Sequence, residues 1–321
     1  LDTTKLMDNI TDRRVSALKD GMISDGVRFL GIDRKGSSIH VSIRPDQKEK
    51  LFNVVGNKFP DLKAGTAKAE GDLLNIEFLL PEKELASIKE NAVNQALETI
   101  RNRIDQFGVS EPVIVKQGEN QILVQLPGVK DPDRALELIG RTAQLEFKLV
   151  DEEAMRQGGE TGAIPAGSEV LKIRSKNKET GIETTAPIVL KKQAVLTGEL
   201  LTDARVHMGS GDIGSEISVG LEFNSEGGRI FDKVTAENVN RRLAIVLDNT
   251  VYSAPQIRER ISGGKASITG GFTLNEAKDL AIVLRAGALP APVKVVQNIT
   301  IGPTLGQDSI NAGITAAWIG S

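Results

Sequence analysis

The chain has no cysteine, so it can form no disulfide, no thiolate metal site and no cysteine nucleophile. A chain without thiols to mispair suits a reducing and an oxidising compartment equally. Aromatic residues are scarce, at 3%; the cores must be built from Leu, Ile, Val and Ala, and few rings are available for stacking on bases. Neither sign of charge is in excess. Forty Lys and Arg against 43 Asp and Glu leave a net charge of −3, which gives no electrostatic reason to bind a polyanion, and no nucleic-acid partner is expected. No run reaches the ~18 to 20 apolar residues of a membrane span. The opening at Leu1 carries neither a basic segment nor an apolar stretch of the signal-peptide kind, as in a processed or excised piece. The uncharged run Ser309–Ser321 (SINAGITAAWIGS) is expected to be the start of a span.

What is present is ordinary globular material. With 321 residues, 40% hydrophobic and 26% charged, the chain should form two or three compact units. Leu6, Ile10, Ala17 and Leu18 predict a helix over Lys5–Met22, followed by a hairpin of Val27–Ile32 and Ile39–Ile43 around Asp33–Gly36. A helix over Asp46–Lys58, with Leu51, Val54 and Val55 on one side, and a hairpin of Leu62–Ala69 and Leu73–Leu79 repeat the unit. Val93, Leu97, Ile100, Ile104 and Phe107 then mark one face of a long helix that Gly108 terminates. A hairpin over Pro112–Leu126 is closed by Pro127–Gly128. A short helix capped by Asp131 and a strand over Gln144–Val150 come after it. Helix, hairpin, helix and strand in this order suit a ferredoxin-like sandwich.

At Asp151 the composition turns polar and Gly-rich (DEEAMRQGGETGAIPAGSE), which reads as a linker or surface loop. A second α+β domain is expected beyond it. Its elements are a hairpin over Val170–Leu190, two strands around Gly209–Gly214, a helix over Ser225–Val234 and the strand LAIVLD. A last helix over Thr273–Ala286 carries the capping box Thr273 and Glu276. Pro290-Ala291-Pro292 then stiffens the chain ahead of one more strand, Val293–Val296.

Tests for chemistry are negative. Gly209-Ser-Gly-Asp-Ile-Gly214 has dinucleotide-loop spacing, but a strand-like segment follows where the motif needs a helix. Ser262-Gly-Gly-Lys265 lacks the first Gly and the Ser or Thr of a phosphate loop. Ser-x-x-Lys occurs three times, at the rate chance supplies. His40 and His207 are far apart in sequence without a carboxylate pattern nearby, so no metal is expected. Gly227 and Gly228 at a helix head fit close backbone packing rather than anion binding. Neither a catalytic site nor a cofactor is expected.

The stretches ETIRNRIDQFGVSEPVIVKQGENQILVQLPGV (Glu98–Val129), FNSEGG (Phe223–Gly228) and LRAGALPAPVKVVQNITIGPTLGQDSI (Leu284–Ile310) together resemble the SecD family of bacterial protein translocase subunits. Gly108, Pro112, Leu126, Pro127, Gly128, Gly227, Gly228, Gly302, Pro303 and Gly306 carry the likeness. The resemblance implies an inner-membrane protein of which this segment is periplasmic: an α+β, ferredoxin-like base of residues 1–151 and 287–303, with an inserted head of 152–286. Residues 304–321 would begin a truncated membrane helix. The loop Glu152–Lys192 is longer than in the family's shorter members. The resemblance also implies SecF, the SecYEG channel and YajC as partners, an unfolded preprotein as client, and no catalytic activity. The head is expected to hold the client and rotate as protons flow elsewhere in the protein, about a hinge at Val150, Asp151, Gly287, Ala288, Leu289 and Pro290. The other reading is a static scaffold or docking domain.

Overall fold

The computed structural model describes residues 1–157, 164–165, 167–176, 183–209 and 217–299. Helix α1 (Thr3–Ser24), strands β1 (Phe29–Lys35) and β2 (Ser38–Ile43), helix α2 (Lys48–Lys58) and strands β3 (Lys63–Glu70) and β4 (Leu73–Leu79) realise the doubled helix-hairpin unit. The hairpins join through β2 and β4, antiparallel, to give the order β1-β2-β4-β3. Alternation puts Ile39, Val41, Ile43, Ile76 and Phe78 on one face. That face buries against Leu18 and Met22 of α1 and Leu51, Val54 and Val55 of α2. Ala17 faces solvent; Met22, one turn beyond Leu18, is the α1 residue that fills the core.

Helix α3 (Glu82–Phe107) starts well before the apolar stripe at Val93, because Pro81 and the acidic first turn, Glu82 and Glu84, suit a helix start. It ends at Gly108, whose φ of 87° is the left-handed cap expected. Strands β5 (Val113–Gln117) and β6 (Gln121–Gln125) form a two-stranded hairpin that packs Ile114, Ile122 and Val124 on α3. Asp131 caps α4 (Pro132–Gly140), accepting from the Arg134 N–H.

The strand expected at Gln144–Val150 forms as β7 (Leu145–Leu149), but it does not join the β5–β6 hairpin. It lies inside a six-stranded sheet, order β10-β7-β13-β14-β8-β9. The others are β8 (Ser168–Lys176), β9 (Glu183–Lys191), β10 (Leu196–Thr197), β13 (Leu243–Leu247) and β14 (Thr250–Ser253). Leu145 and Phe147 share one buried face of the strand, and β13, buried at every position, pairs with it over five residue pairs. A three-stranded sheet of β11 (Leu201–Met208), β12 (Ile217–Phe223) and β15 (Lys265–Ile268) shares this core with α6 (Ser225–Glu237) and α7 (Leu274–Ala286). Phe147, Phe223 and Phe231 meet at its centre, with ring centroids 5.5 to 6.0 Å apart.

Two expectations need correction. The polar segment from Asp151 does not open as a loop: Asp151 caps a short helix, α5 (Glu152–Arg156), and residues 158–163 lie outside those described. No strand forms at Val293–Val296. Among the described residues no sheet edge is bonded to it, and Val295 and Val296 are 63% and 80% exposed. The returning chain is held just upstream instead. The Asp2 N–H donates to the Pro292 carbonyl at 2.8 Å, and Lys294 pairs with Asp2. Gly302, Pro303, Gly306 and the tail 304–321 lie outside the described residues. Within those described, no helix is long and apolar enough to cross a membrane.

Candidate functional site

The end of α3 and one side of α7 come together beside β11 of the three-stranded sheet, and a groove of about 300 Å³ opens there. One wall is α3, through Gln106. The other is α7, through Lys278, Ala281, Ile282 and Arg285, which fall at i, i+3, i+4 and i+7 and so share one stripe. Strand β11 closes it with Arg205 and Val206. The floor is therefore apolar and the rim carries three cations. Arg285 Nε donates to Gln106 Oε1 at 2.9 Å, bridging the walls, and Arg205 pairs with Asp203 on its own strand at 2.5 Å. Met208, 64% exposed, extends the apolar surface along β11.

Behind the groove α4 is fastened to α7. Both nitrogens of the Arg134 fork reach Asp279, at 2.9 and 2.7 Å, and the guanidinium also lies over the Phe107 ring. One turn back along α3 is Arg103, wholly buried. Its Nη1 donates to the carbonyls of Leu138 and Ile139, both at 3.0 Å, and of Arg141; its Nη2 donates to the Gly287 carbonyl at 3.0 Å. Nε has no partner. Burial pushes the guanidinium down to about 10, against the pull of Asp248. Asp248 itself accepts from the Ala143 and Gln144 N–H groups, both at 3.0 Å.

The expected hinge residues lie in two places. Gly287, at φ 88°, ends α7; Ala288 and Pro290 are half-buried, and Leu289 is buried with its N–H donating to the Thr142 carbonyl at 2.8 Å. Val150 and Asp151 are part of the sheet instead: Val150 N–H donates to the Arg242 carbonyl, and Asp151 N–H to that of Val189. The Asp151 carboxylate accepts from Lys191 at 2.6 Å, Ser168 at 2.6 Å and the Ala154 N–H, which holds it down to about 2. A hinge at Val150–Asp151 would have to part β7 from β13.

Of the motif residues, Gly108 caps α3, and Pro112, Leu126, Pro127 and Gly128 bracket the β5–β6 hairpin. Gly227 and Gly228 are packing glycines: a Cβ on Gly227 would come within 2.9 Å of Leu200 Cβ, and Gly228 lies against the Gly264 backbone. Strands β11 and β12 pair antiparallel across the segment that begins at Gly209, whose residues 210–216 are outside those described. His40 does have a carboxylate near it, Glu77 on the neighbouring strand at 3.6 Å, which sequence separation concealed. Among the described residues no group of three or more His, Asp or Glu side chains could hold a metal. The groove residues and Arg103 are the ones sequence reasoning missed. Arg103 carried a signal, since it falls between Ile100 and Ile104 on the buried stripe of α3, where a charge is out of place.

Two family descriptions match the chain: "Protein translocase subunit SecDF, P1 domain, N-terminal" over residues 93–152 and "SecDF, P1 head subdomain" over residues 169–291. All of it aligns with protein translocase subunit SecD of Calditerrivibrio nitroreducens at 47% identity and of Syntrophobacter fumaroxidans at 45%. The chain spans 62% and 60% of the length of these curated relatives. Among solved structures, one of the membrane component SecDF that enhances protein export is 36% identical, with a TM-score of 0.50, over 66% of this chain and 94% of that one. SecDF in a super-membrane-facing form is 39% identical, with a TM-score of 0.52, over 72% of this chain and 31% of that one.

Proposed function

The chain belongs to the SecD family of protein translocase subunits, which work in protein export, and we propose that it is the periplasmic segment of an inner-membrane subunit that holds an emerging preprotein. In this reading the head moves against the base as protons flow through membrane helices elsewhere in the protein, and so assists export through SecYEG. SecF and YajC are its companions. The base is ferredoxin-like, and because β7 is bonded to β13 the moving head begins before that strand: the base is residues 1–143 and 287–303, and the head is 144–286.

The observation that carries the reading is the composition of the groove. Its walls come from both parts, Gln106 from the base and the α7 stripe from the head, so any relative motion changes its width. An apolar floor takes apolar side chains of an extended chain, and a rim that offers donors without covalent chemistry suits holding and release rather than reaction. Two glycine-free turns of α7 keep that wall straight while Gly287 absorbs backbone change.

A static scaffold is the second reading, and one observation favours it: Arg103 and the Arg134–Asp279 pair bind the parts together in this conformation. This chain contributes no cysteine of its own to the test. Cysteines at Gln106 and Lys278, joined by a short bifunctional maleimide inside the full-length subunit, should stop its support of export in cells, whereas the unjoined double variant should retain it. Equal export by the joined and unjoined proteins would leave the scaffold reading standing.

A further inference from the structure

We infer that Arg103 is a pin through the pivot between the two parts, and that the pivot is the pair of chain crossings at residues 141–143 and 287–289. The crossings lie side by side, since the Leu289 N–H donates to the Thr142 carbonyl at 2.8 Å. Both run through left-handed backbone, at Ala143 (φ 60°) and Gly287 (φ 88°), the conformation of a sharp change in direction. Between them sits one side chain from a third element. Arg103 of α3 gives Nη1 to the Arg141 carbonyl on one crossing and Nη2 to the Gly287 carbonyl on the other.

The chemistry of the pin is unusual. Among the described residues no carboxylate is a hydrogen-bond partner of this buried cation; its acceptors are carbonyls at the C-terminal ends of α4 and α7, where the helix dipoles are negative. A buried guanidinium whose Nε is already unpartnered tolerates the loss of another acceptor poorly. Withdrawal of Gly287 therefore strips Nη2 of its only partner among the described residues, which favours two positions of the crossing over a graded series. The groove feels the same event. Gln106 is one turn from Arg103 on α3, and Arg285, which it bridges, lies two residues before Gly287. Arg103 is thus a positioning residue for the groove walls. The inference rests on the reading that the parts move, and its test reads the pivot alone.

The test is amide hydrogen exchange on the purified chain, comparing wild type with Arg103→Met and Arg103→Lys. In Arg103→Met the amides of Gly287 and Leu289 should exchange at least about ten-fold faster, while Val41 in β2 and Ala244 in β13 keep their rates. Arg103→Lys, which keeps the charge and up to three donors, should fall between. An unchanged rate at Leu289 would overturn the pin. So would equal acceleration at Ala244, which would make Arg103 a general core residue. If Arg103→Met does not fold, Arg103→Lys carries the comparison by itself; failure of both to fold also overturns the inference. A chain that passes and still exports when joined at Gln106 and Lys278 keeps the pin and loses the motion reading.

Discussion

Residues 1–80 and the body from β7 to α7 each bury a sheet face beneath helices, but they assemble it over different distances. In the first region each strand pairs with its hairpin mate, and the two hairpins meet once, at β2 and β4. Its sheet core draws on residues between Ile10 and Leu85, while Leu6 packs apart from it with Ala92 and Ala291. In the second, β7 pairs with β13, and β14 lies parallel to β8, so the core gathers segments from Phe107 to Leu284. The lesson is that the first region can melt or form by itself, while the second is a single cooperative object that reaches back into α3 and α4.

The largest test of that contrast is Phe147→Ala. Removing the ring that meets Phe223 and Phe231 edge-on should cost the body about 3 to 5 kcal/mol, read by denaturant titration. The amides of β2 and β4 should keep their exchange rates. A parallel loss of protection there would mean that the two regions share one transition.

Glycines give a paired comparison. Gly227→Ala forces a Cβ to within about 3 Å of both Leu200 and Phe223 Cβ atoms, and should destabilise the body by about 1 to 3 kcal/mol. Gly56→Ala, on α2 with nothing within 4 Å of the new methyl, should instead stabilise the first region by about 0.5 to 1 kcal/mol. Thermal unfolding of both variants checks the opposite signs.

Acid should separate the regions as well. The Asp151 carboxyl is lowered from 3.8 to about 2 in the folded chain. Its contribution is therefore complete above pH ~4 and is lost as pH falls toward 2, because only the unfolded chain takes up the proton readily in that window. Since Lys191 is half-exposed, roughly 1 to 2 kcal/mol is at stake. Asp151→Asn should flatten this part of the body's pH profile.

The smallest effect belongs to the exposed pair between the regions, Arg13 and Glu199 at 3.7 Å. Glu199→Ala should change stability by less than about 0.5 kcal/mol. A larger loss on calorimetry would show the regions to be more tightly joined than their separate cores suggest.

The parts of this fold legible in the sequence were those set by neighbours along the chain. Asp131 as a cap, Gly108 as a terminator, the Thr273 and Glu276 capping box and both helix-hairpin units follow from local propensity and period. The strand at 145–149 was legible as a strand, but its partner was not, because Leu243–Leu247 offers the same apolar pattern to any neighbour. Val293–Val296 failed for the complementary reason: alternation allows a strand and cannot supply an edge to bond it. The groove was hidden because its stripe on α7 mixes cations with apolar residues, which reads as an ordinary helix flank. Arg103 could have been singled out by its place among Ile100 and Ile104, although nothing local says that its acceptors are carbonyls at Arg141 and Gly287.

The pairing of β7 with β13 also sets an order of events during synthesis. Residues 1–80 can close as soon as they emerge, since every strand they need is already there. Strand β7, by contrast, is made early and must stay unpaired on one side until α6 has passed and Leu243–Leu247 appears. Over that interval the β8–β9 hairpin also lacks β14, its inner neighbour. The nascent body thus carries open apolar edges of the kind that other chains bind and aggregate upon.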